Sequence, residues 1–231
     1  MRKKTLFAVM TVALCVIVAA GGLLASNMGF KLNYRLNGTA ANAGVNTGKN
    51  TLSLPYFRQT GQNNAFDLML DIGNGSILPV QNVNRFNEAT NTYASYTGRM
   101  GSPTGTPFAL AAGEGYLVQM WLNTNYIVVG SHDPSLAIQL DATGPGSATG
   151  QNFVAPPYNI TATNALQLMQ DIGGGTILPV ANVSKFLPAS DTFASYTGRM
   201  GSPTGAPFAL APGEAYFVQM NTAVPYTPSH Y

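Results

Sequence analysis

Charged side chains, cysteine and histidine are all scarce in this chain. Only 9% of its 231 residues are Asp, Glu, Lys or Arg, against about a quarter in an average globular protein. The single cysteine is Cys15, and the two histidines are His132 and His230. Beyond Cys15 the chain therefore has no thiol for a disulfide, for nucleophilic catalysis or for a thiolate metal site. Two isolated histidines do not form a recognisable metal motif, so we expect no metal and no cofactor.

The N-terminal residues differ in composition from the rest. Arg2, Lys3 and Lys4 precede an apolar run over residues 6–25, and polar sequence follows from Ser26. This order predicts a secretory signal peptide over residues 1–25. The run is also long enough to remain as an uncleaved membrane anchor. Either alternative predicts an exported protein, in the periplasm, at the cell surface or outside the cell, with membrane contact only through this segment if it is kept.

Without that segment the net charge is close to zero. Eight basic and nine acidic side chains remain, which leaves a net charge of −1. A chain without a basic surplus is a poor partner for nucleic acid. Hydrophobic residues make up 45% and aromatic residues 10%, which indicates a folded protein rather than a disordered one. Its surface must then consist mainly of Asn, Thr, Ser, Gln and Gly.

The sequence contains a long internal duplication. ASYTGRMGSPTG occurs at residues 94–105 and again, unchanged, at residues 194–205. Around it, residues 91–120 and 191–220 are identical at 24 of 30 positions, and residues 64–83 match 164–183 at 14 of 20. Earlier, KLNYRLN at 31–37 can be paired with LAIQLDA at 136–142. A period of this length indicates two homologous domains, which we place at residues 27–131 and 132–231.

Each repeat has the pattern of several short strands and one short helix. Phe30, Leu32, Tyr34 and Leu36 alternate with polar residues, as in a half-buried strand. Asn63 or Asn64 can cap a helix that ends at Gly73. The repeated order of short strands and turns favours a mainly β fold, a β-sandwich or partly open barrel with one short helix per repeat. We predict the other strands of the first repeat near residues 52–54, 77–86, 93–96, 108–110, 116–121 and 126–129, and the second helix at residues 164–172.

Four charged positions occur in both repeats although charge is scarce. The loop from Gly98 to Gly105 is also identical, whereas the first strands have diverged, and loops normally vary more than the framework. One interpretation is an Arg99–Glu114 ion pair that holds this loop, and the alternative presents Arg99 to a ligand or a neighbouring chain. No catalytic constellation is recognisable, so we do not expect an enzyme. The retained charges are Asp71/Asp171, Arg85/Lys185, Arg99/Arg199 and Glu114/Glu214, and the candidate contact residues are Tyr96, Arg99, Glu114, Tyr196, Arg199 and Glu214.

The repeats resemble an uncharacterised β-rich module of exported bacterial proteins. That module reads N-L-x-S-L-P, A-x-x-L-x-x-D-I, a hairpin with aromatic ends, and F-x-L-x-P-G-x-G-Y-x-V. The second repeat departs from the first motif, with Phe153-Val154-Ala155-Pro156 in its place. The resemblance implies export and a β-fold, and it implies no activity. The matching segments are residues 50–55, 65–72, 86–93 and 108–118 in the first repeat, and 165–172, 186–193 and 208–218 in the second.

These observations predict an exported, non-enzymatic structural or cell-surface protein. We expect self-association, or contact with another surface protein, through head-to-tail contacts between β-domains, because a tandem pair can propagate in that way. The strand from Phe30 to Leu36 is the segment that we expect to add to a neighbouring sheet. The alternative is an extracellular binding module for a glycan or a protein. Its candidate rings are Tyr93, Tyr96 and Tyr116 with their counterparts Phe193, Tyr196 and Tyr216.

Overall fold

The computed structural model describes residues 30–39, 47–54, 62–98, 101–131, 133 and 135–230. The predicted signal peptide at residues 1–25, Arg99 and His132 lie outside the described residues, so the predictions made for them stay predictions. From Lys31 onward the chain forms one compact unit that contains both repeats.

In the part of each repeat that the structure describes there are six strands and one α-helix, in the same order. This confirms a mainly β protein built of two repeated units with one helix each. The first repeat consists of β1 (Phe30–Leu36), β2 (Lys49–Ser53), α1 (Ala65–Ile72), β3 (Val80–Asn87), β4 (Thr92–Thr97), β5 (Gly115–Met120) and β6 (Thr124–Gly130). The second consists of β7 (Ile138–Leu140), β8 (Gln151–Val154), α2 (Ala165–Ile172), β9 (Val180–Leu187), β10 (Thr192–Thr197), β11 (Tyr216–Met220) and β12 (Val224–Tyr226).

Two sheets make up each repeat. The larger one has four antiparallel strands, in the order β2-β5-β3-β4 in the first repeat and β8-β11-β9-β10 in the second. The smaller one, which we call the ribbon, pairs β1 with β6 and β7 with β12. The register is equivalent in the two copies, since Val83 pairs with Val118 and Val183 with Val218. The framework was therefore preserved when the repeats diverged.

The helix and the ribbon cover one face of the four-stranded sheet. In the first repeat Leu36 of the ribbon, Leu68 of α1 and Val118 of β5 belong to one buried core. The Asn64 side chain caps α1 by accepting from the backbone N–H groups of Phe66 and Asp67, at 2.9 and 3.1 Å. Both helices end at the glycines expected from the sequence, Gly73 and Gly173.

Two details of the sequence reading were wrong. Residues 108–110 form no strand: Ala109 makes an isolated bridge to Asn64, beside the start of α1. The pairing of residues 31–37 with 136–142 is displaced by one residue. The backbone N–H of Asn37 donates to Asn50 and that of Asp141 donates to Asn152, which makes Asn37 the counterpart of Asp141. A slip of one residue is easily missed in diverged strands because only the partner strand fixes their register.

The two repeats contact each other through reciprocal hydrogen bonds, and we call this contact the seam. The N–H of Ser53, at the end of β2, donates to the carbonyl of Gly213 at 2.9 Å. The N–H of Ala155, which follows β8, donates to the carbonyl of Gly113, also at 2.9 Å. Equivalent groups therefore bond in both directions, which is the pattern of a contact with two-fold symmetry.

The side chains at the seam are less symmetric than its backbone. Phe153 and Phe217 stack with their ring centroids 4.1 Å apart, and Phe217 also meets Phe86 edge-on at 5.5 Å. The first repeat has Thr51 and Leu117 at the positions of these two phenylalanines. The seam thus has one aromatic half and one half with smaller side chains.

Gly115 is a residue of the seam that leaves no room for a side chain. A Cβ atom there would lie 2.5 Å from the Cβ of Ala215 and 2.9 Å from the Phe153 ring. We expect Gly115→Ala to lower the free energy of unfolding by about 1–3 kcal/mol through overpacking, measured by urea denaturation. The double variant G115A/A215G should recover part of this loss, because it removes one of the two clashes. An unchanged urea midpoint in the single variant would contradict the seam packing.

Candidate functional site

Backbone geometry explains much of the sequence identity between the loop at residues 98–105 and its counterpart at residues 198–205. Gly98 passes so close to β3 that a Cβ atom would lie 2.6 Å from the carbonyl oxygen of Val80, and Gly101 has a φ of 98°. Thr97 and Thr104 bond each other's backbone groups, at 3.2 and 2.8 Å. Larger residues at these glycines would clash or be strained, so packing alone accounts for part of the identity.

The two candidate tyrosines are not surface contacts. Tyr96 and Tyr196 are 5% and 4% exposed and belong to the two cores. Tyr96 meets Phe66 edge-on at 6.3 Å. Each tyrosine faces the core because its β-strand alternates, and the neighbouring residues of the strand face outward. By contrast, Arg199 is exposed, and the adjacent Met200 is 88% exposed at a φ of 51°.

Glu114 and Glu214 bond the framework of their own repeats. Glu114 Oε2 accepts from the Tyr116 hydroxyl at 2.9 Å and lies 3.3 Å from Nε of Arg85. Glu214 repeats this arrangement with Tyr216 at 2.9 Å and Lys185 at 2.7 Å. The ion pair therefore joins β3 or β9 to the turn that precedes β5 or β11, and Glu214 pairs with Lys185 instead of Arg199. Burial, reinforced by the nearby carboxylate, raises the pKa of Tyr116 and of Tyr216 well above the usual tyrosine value.

Asp71 and Asp171 have an equally structural role. Each lies at the end of its helix and accepts the hydroxyl of the buried tyrosine in the last strand, Tyr126 at 2.8 Å and Tyr226 at 2.7 Å. These bonds tie the helix to the ribbon. Burial, with the aspartate beside it, raises the pKa of both tyrosines above the usual range. Of the four retained charged positions, three thus connect strands, helices and turns within a repeat.

Removal of one of these tyrosine hydroxyls should destabilise the chain measurably. Tyr216→Phe deletes the donor to Glu214 and the acceptor for the N–H of Ala211, which lies 2.7 Å away. We expect a loss of about 1–2 kcal/mol in the free energy of unfolding, because buried groups are left without partners. Tyr93→Phe is the control, since Tyr93 is half-exposed and its counterpart is already Phe193. Equal stability of the two variants would refute this role.

A cleft of about 520 Å³ opens at the seam, and we call it the acidic cleft. It is lined by Arg85, Glu88, Glu114 and Phe153, among others. Glu88 ties the β3–β4 turn to the other repeat: its carbonyl accepts from Ala148 N–H at 2.9 Å, and its carboxyl accepts a long bond of 3.4 Å from Phe153 N–H. Comparison of the two repeats does not single out Glu88, because the second repeat has Pro188 at the equivalent position.

The environment of Glu88 disfavours its charged form. The pKa of Glu88 is raised to about 7, chiefly by burial; the nearby Asp141 and Glu114 carboxylates also raise it, whereas the Phe153 N–H and the Arg85 guanidinium lower it. Since the carboxyl group lies against the second repeat, its ionisation affects the seam.

The stability of the seam should therefore fall as the pH rises. The folded-state pKa of Glu88 lies above the ordinary value of 4.5, so its contribution is complete below pH 4.5 and is lost as the pH rises through about 7. We expect Glu88→Gln to be about 1 kcal/mol more stable than the wild type at pH 8, a value reduced for the solvent that still reaches the carboxyl group. At pH 4 the two proteins should unfold alike. Glu114→Gln, which breaks an ion pair instead, should not gain stability at pH 8, and an equal gain there would contradict this assignment.

A second cavity of about 470 Å³ lies between the outer face of the first repeat's sheet and the β9–β10 hairpin, and we call it the groove. Two half-exposed rings border it, Tyr93 and Phe193. Its polar lining is an array of amides and a hydroxyl: Asn82 donates to Gln119 at 3.0 Å, and Ser95 donates to Asn84 at 2.6 Å. Lys49 of β2 reaches Asp191 of the second repeat at 3.1 Å along the groove.

The described part of the chain has neither a cluster of metal-ligating side chains nor a helix that could span a membrane. Among residues 30–39, 47–54, 62–98, 101–131, 133 and 135–230, no three His, Cys, Asp or Glu side chains are grouped so that they could hold a metal ion. In the same residues, neither of the eight-residue helices has the length or the apolar character to cross a bilayer.

Comparison with known proteins does not extend these observations. No protein-family model, no curated protein and no solved structure matches the chain. The resemblance to an exported bacterial module therefore stays a prediction, and the function has to be argued from the site itself.

Proposed function

We propose that this is an exported, non-enzymatic structural or cell-surface protein that associates with further copies of itself. The non-enzymatic role is supported by one observation: the retained acidic side chains bond other side chains of their own repeat. Glu114 and Glu214 bond tyrosine hydroxyls and basic side chains, and Asp71 and Asp171 bond tyrosines that close the ribbons. Such groups are retained because they hold the framework, and this explanation needs no reaction.

The ribbon of the first repeat supplies a surface for association. Ile127 and Val129 of β6 are 45% and 53% exposed, Leu122 just before β6 is 51% exposed, and we call these three residues the apolar ribbon face. Their counterparts in the second repeat are Thr222, Thr227 and Ser229, which are polar and exposed. The same ribbon position is therefore apolar in one repeat and polar in the other, which is the difference expected if only one of them is covered by a partner.

A second copy of the chain is the partner that we favour for this face. The net charge of −1 for the chain after residue 25 gives little electrostatic repulsion between copies. Both β1 and β6 are edge strands of a two-stranded sheet, and edge strands pair readily with other chains. Two ribbons facing each other would close a dimer, whereas a ribbon that contacts another part of the next chain would continue head to tail as an open filament.

Self-association should depend on the apolar ribbon face. We expect the chain from Asn27 onward to associate with rising concentration in light scattering and sedimentation, with electron microscopy separating dimers from filaments. The double variant I127T/V129S takes the residues of the second repeat, and should raise the dissociation constant at least tenfold because apolar area is lost. Leu178→Thr is the matched control, since Leu178 is 56% exposed but lies outside the ribbon. A wild type that stays monomeric at high concentration would reject self-association.

The second candidate is an extracellular binding module, and the groove is the observation that favours it. Of the six rings considered for this role, Tyr96, Tyr116, Tyr196 and Tyr216 are buried. Only Tyr93 and Phe193 are half-exposed, and both border the groove. This narrows the candidate from two equivalent sites, one per repeat, to one site between the repeats.

A further inference from the structure

The groove has the features of a site for a small ligand. Its volume of about 470 Å³ lies within the roughly 300–1,000 Å³ of typical ligand pockets. Two ring systems and an array of hydrogen-bonding groups converge on it from different repeats, so its shape depends on the seam being closed. In this respect it differs from the apolar ribbon face, which belongs to one repeat alone.

The chemistry of the groove suits an uncharged ligand. Among the described residues that line it, the charged side chains are Lys49 and Asp191, and they form an ion pair at 3.1 Å. The other polar groups of this lining are the side chains of Asn82, Asn84, Ser95 and Gln119 and the Tyr93 hydroxyl. Amides and hydroxyls both donate and accept hydrogen bonds, so they complement a ligand that carries many hydroxyl groups rather than an anion or a cation.

The rings provide the apolar part of the same ligand. Tyr93 and Phe193 are 45% and 49% exposed. Each packs against a phenylalanine of its own hairpin, with ring centroids 5.4 Å apart for Tyr93 and Phe86 and 5.3 Å apart for Phe193 and Phe186. The negative face of an aromatic ring attracts the polarised C–H groups of a pyranose. Aromatic rings beside amides therefore match the two sides of a sugar, the C–H face and the hydroxyl rim.

Divergence of the repeats has opened this groove on the first sheet. Leu117 lies in its lining. At the equivalent position of the second repeat, Phe217 stacks on Phe153. Its ring also meets that of Phe193 edge-on, with the centroids 5.6 Å apart. The smaller Leu117 and Thr51 leave space on the first sheet where the second sheet carries two stacked rings. A phenylalanine is thus compatible with the fold at this position, and at residue 117 it would fill the groove.

We propose that the groove between the repeats binds an uncharged oligosaccharide, with Tyr93 and Phe193 packing against sugar rings and Asn84, Ser95 and Gln119 bonding the hydroxyls. This inference rests on the second candidate function, the binding module, and does not depend on self-association. It names the class of ligand that the module would bind and places one binding site in each chain.

Calorimetric titration of the chain from Asn27 onward with maltopentaose, cellopentaose and chitopentaose tests the proposal. We expect at least one of these to bind saturably, with a dissociation constant below about 1 mM, which corresponds to about −4 kcal/mol. Leu117→Phe should abolish binding, because the added ring occupies the groove. Phe193→Ala should weaken it at least tenfold, whereas Tyr93→Phe, which keeps the ring, should bind within about threefold of the wild type.

A matched pair of variants separates binding from stability. Gln119 bonds Asn82 and the carbonyl of Thr47, and Gln219 bonds Asn182 and the carbonyl of Thr149 in the same way. Only Gln119 lines the groove. Gln119→Ala should therefore weaken binding at least threefold and Gln219→Ala should not, while both change the unfolding midpoint alike. Saturable binding that is unchanged in Leu117→Phe would overturn the proposal, as would no saturable binding of any of the three sugars.

The two proposals fail separately. If the sugars do not bind but the chain still associates through the apolar ribbon face, the groove proposal is rejected and the structural role stands. If pentagalacturonate binds and the three neutral sugars do not, the ligand is an anion and the inference of an uncharged oligosaccharide is wrong.

Discussion

The close approach of the Gly113 and Gly213 turns to the opposite repeat is the constraint on which the rest of the structure depends. A Cβ atom at Gly113 would lie 2.8 Å from Ile138, and one at Gly213 only 1.9 Å from the Tyr34 ring. Both glycines have positive φ, at 83° and 86°, so other residues would be strained there as well as crowded. With these turns in place, each carbonyl accepts a hydrogen bond from the other repeat, and the acidic cleft and the groove form beside them.

Near-symmetry of the backbone with asymmetry of the side chains gives the molecule its distinct surfaces. The sheets, the helices and the carboxylate–tyrosine bonds are equivalent in the two repeats, because each stabilises its own core. Differences accumulate where a repeat faces its neighbour or solvent: Leu117 against Phe217, Glu88 against Pro188, and Ile127 against Thr227. A duplicated fold can therefore carry one groove, one acidic cleft and one apolar ribbon face.

Much of the secondary structure was predictable because its signals are local. The first helix begins after the cap Asn64 and ends at Gly73, and β1 occupies the alternating segment Phe30–Leu36 as expected. The retained charges were also found from the sequence, but their partners were not. Arg85 and Glu114 are 29 residues apart and meet because β3 and β5 are neighbours in the sheet. No local pattern around Glu114 indicates that a basic residue of β3 lies beside it.

The sequence by itself determined the duplication, the mainly β character and the single helix of each repeat, since periodicity, caps and glycines act over a few residues. Only the tertiary structure decided that Tyr96 and Tyr196 are buried, that Glu88 lies at the seam, and that Tyr93 and Phe193 from different repeats border one groove. The physical reason is that burial and pairing are set by contacts between segments far apart in the chain. For Tyr93 and Phe193 the separation is one whole repeat, and no local pattern records which residues will meet.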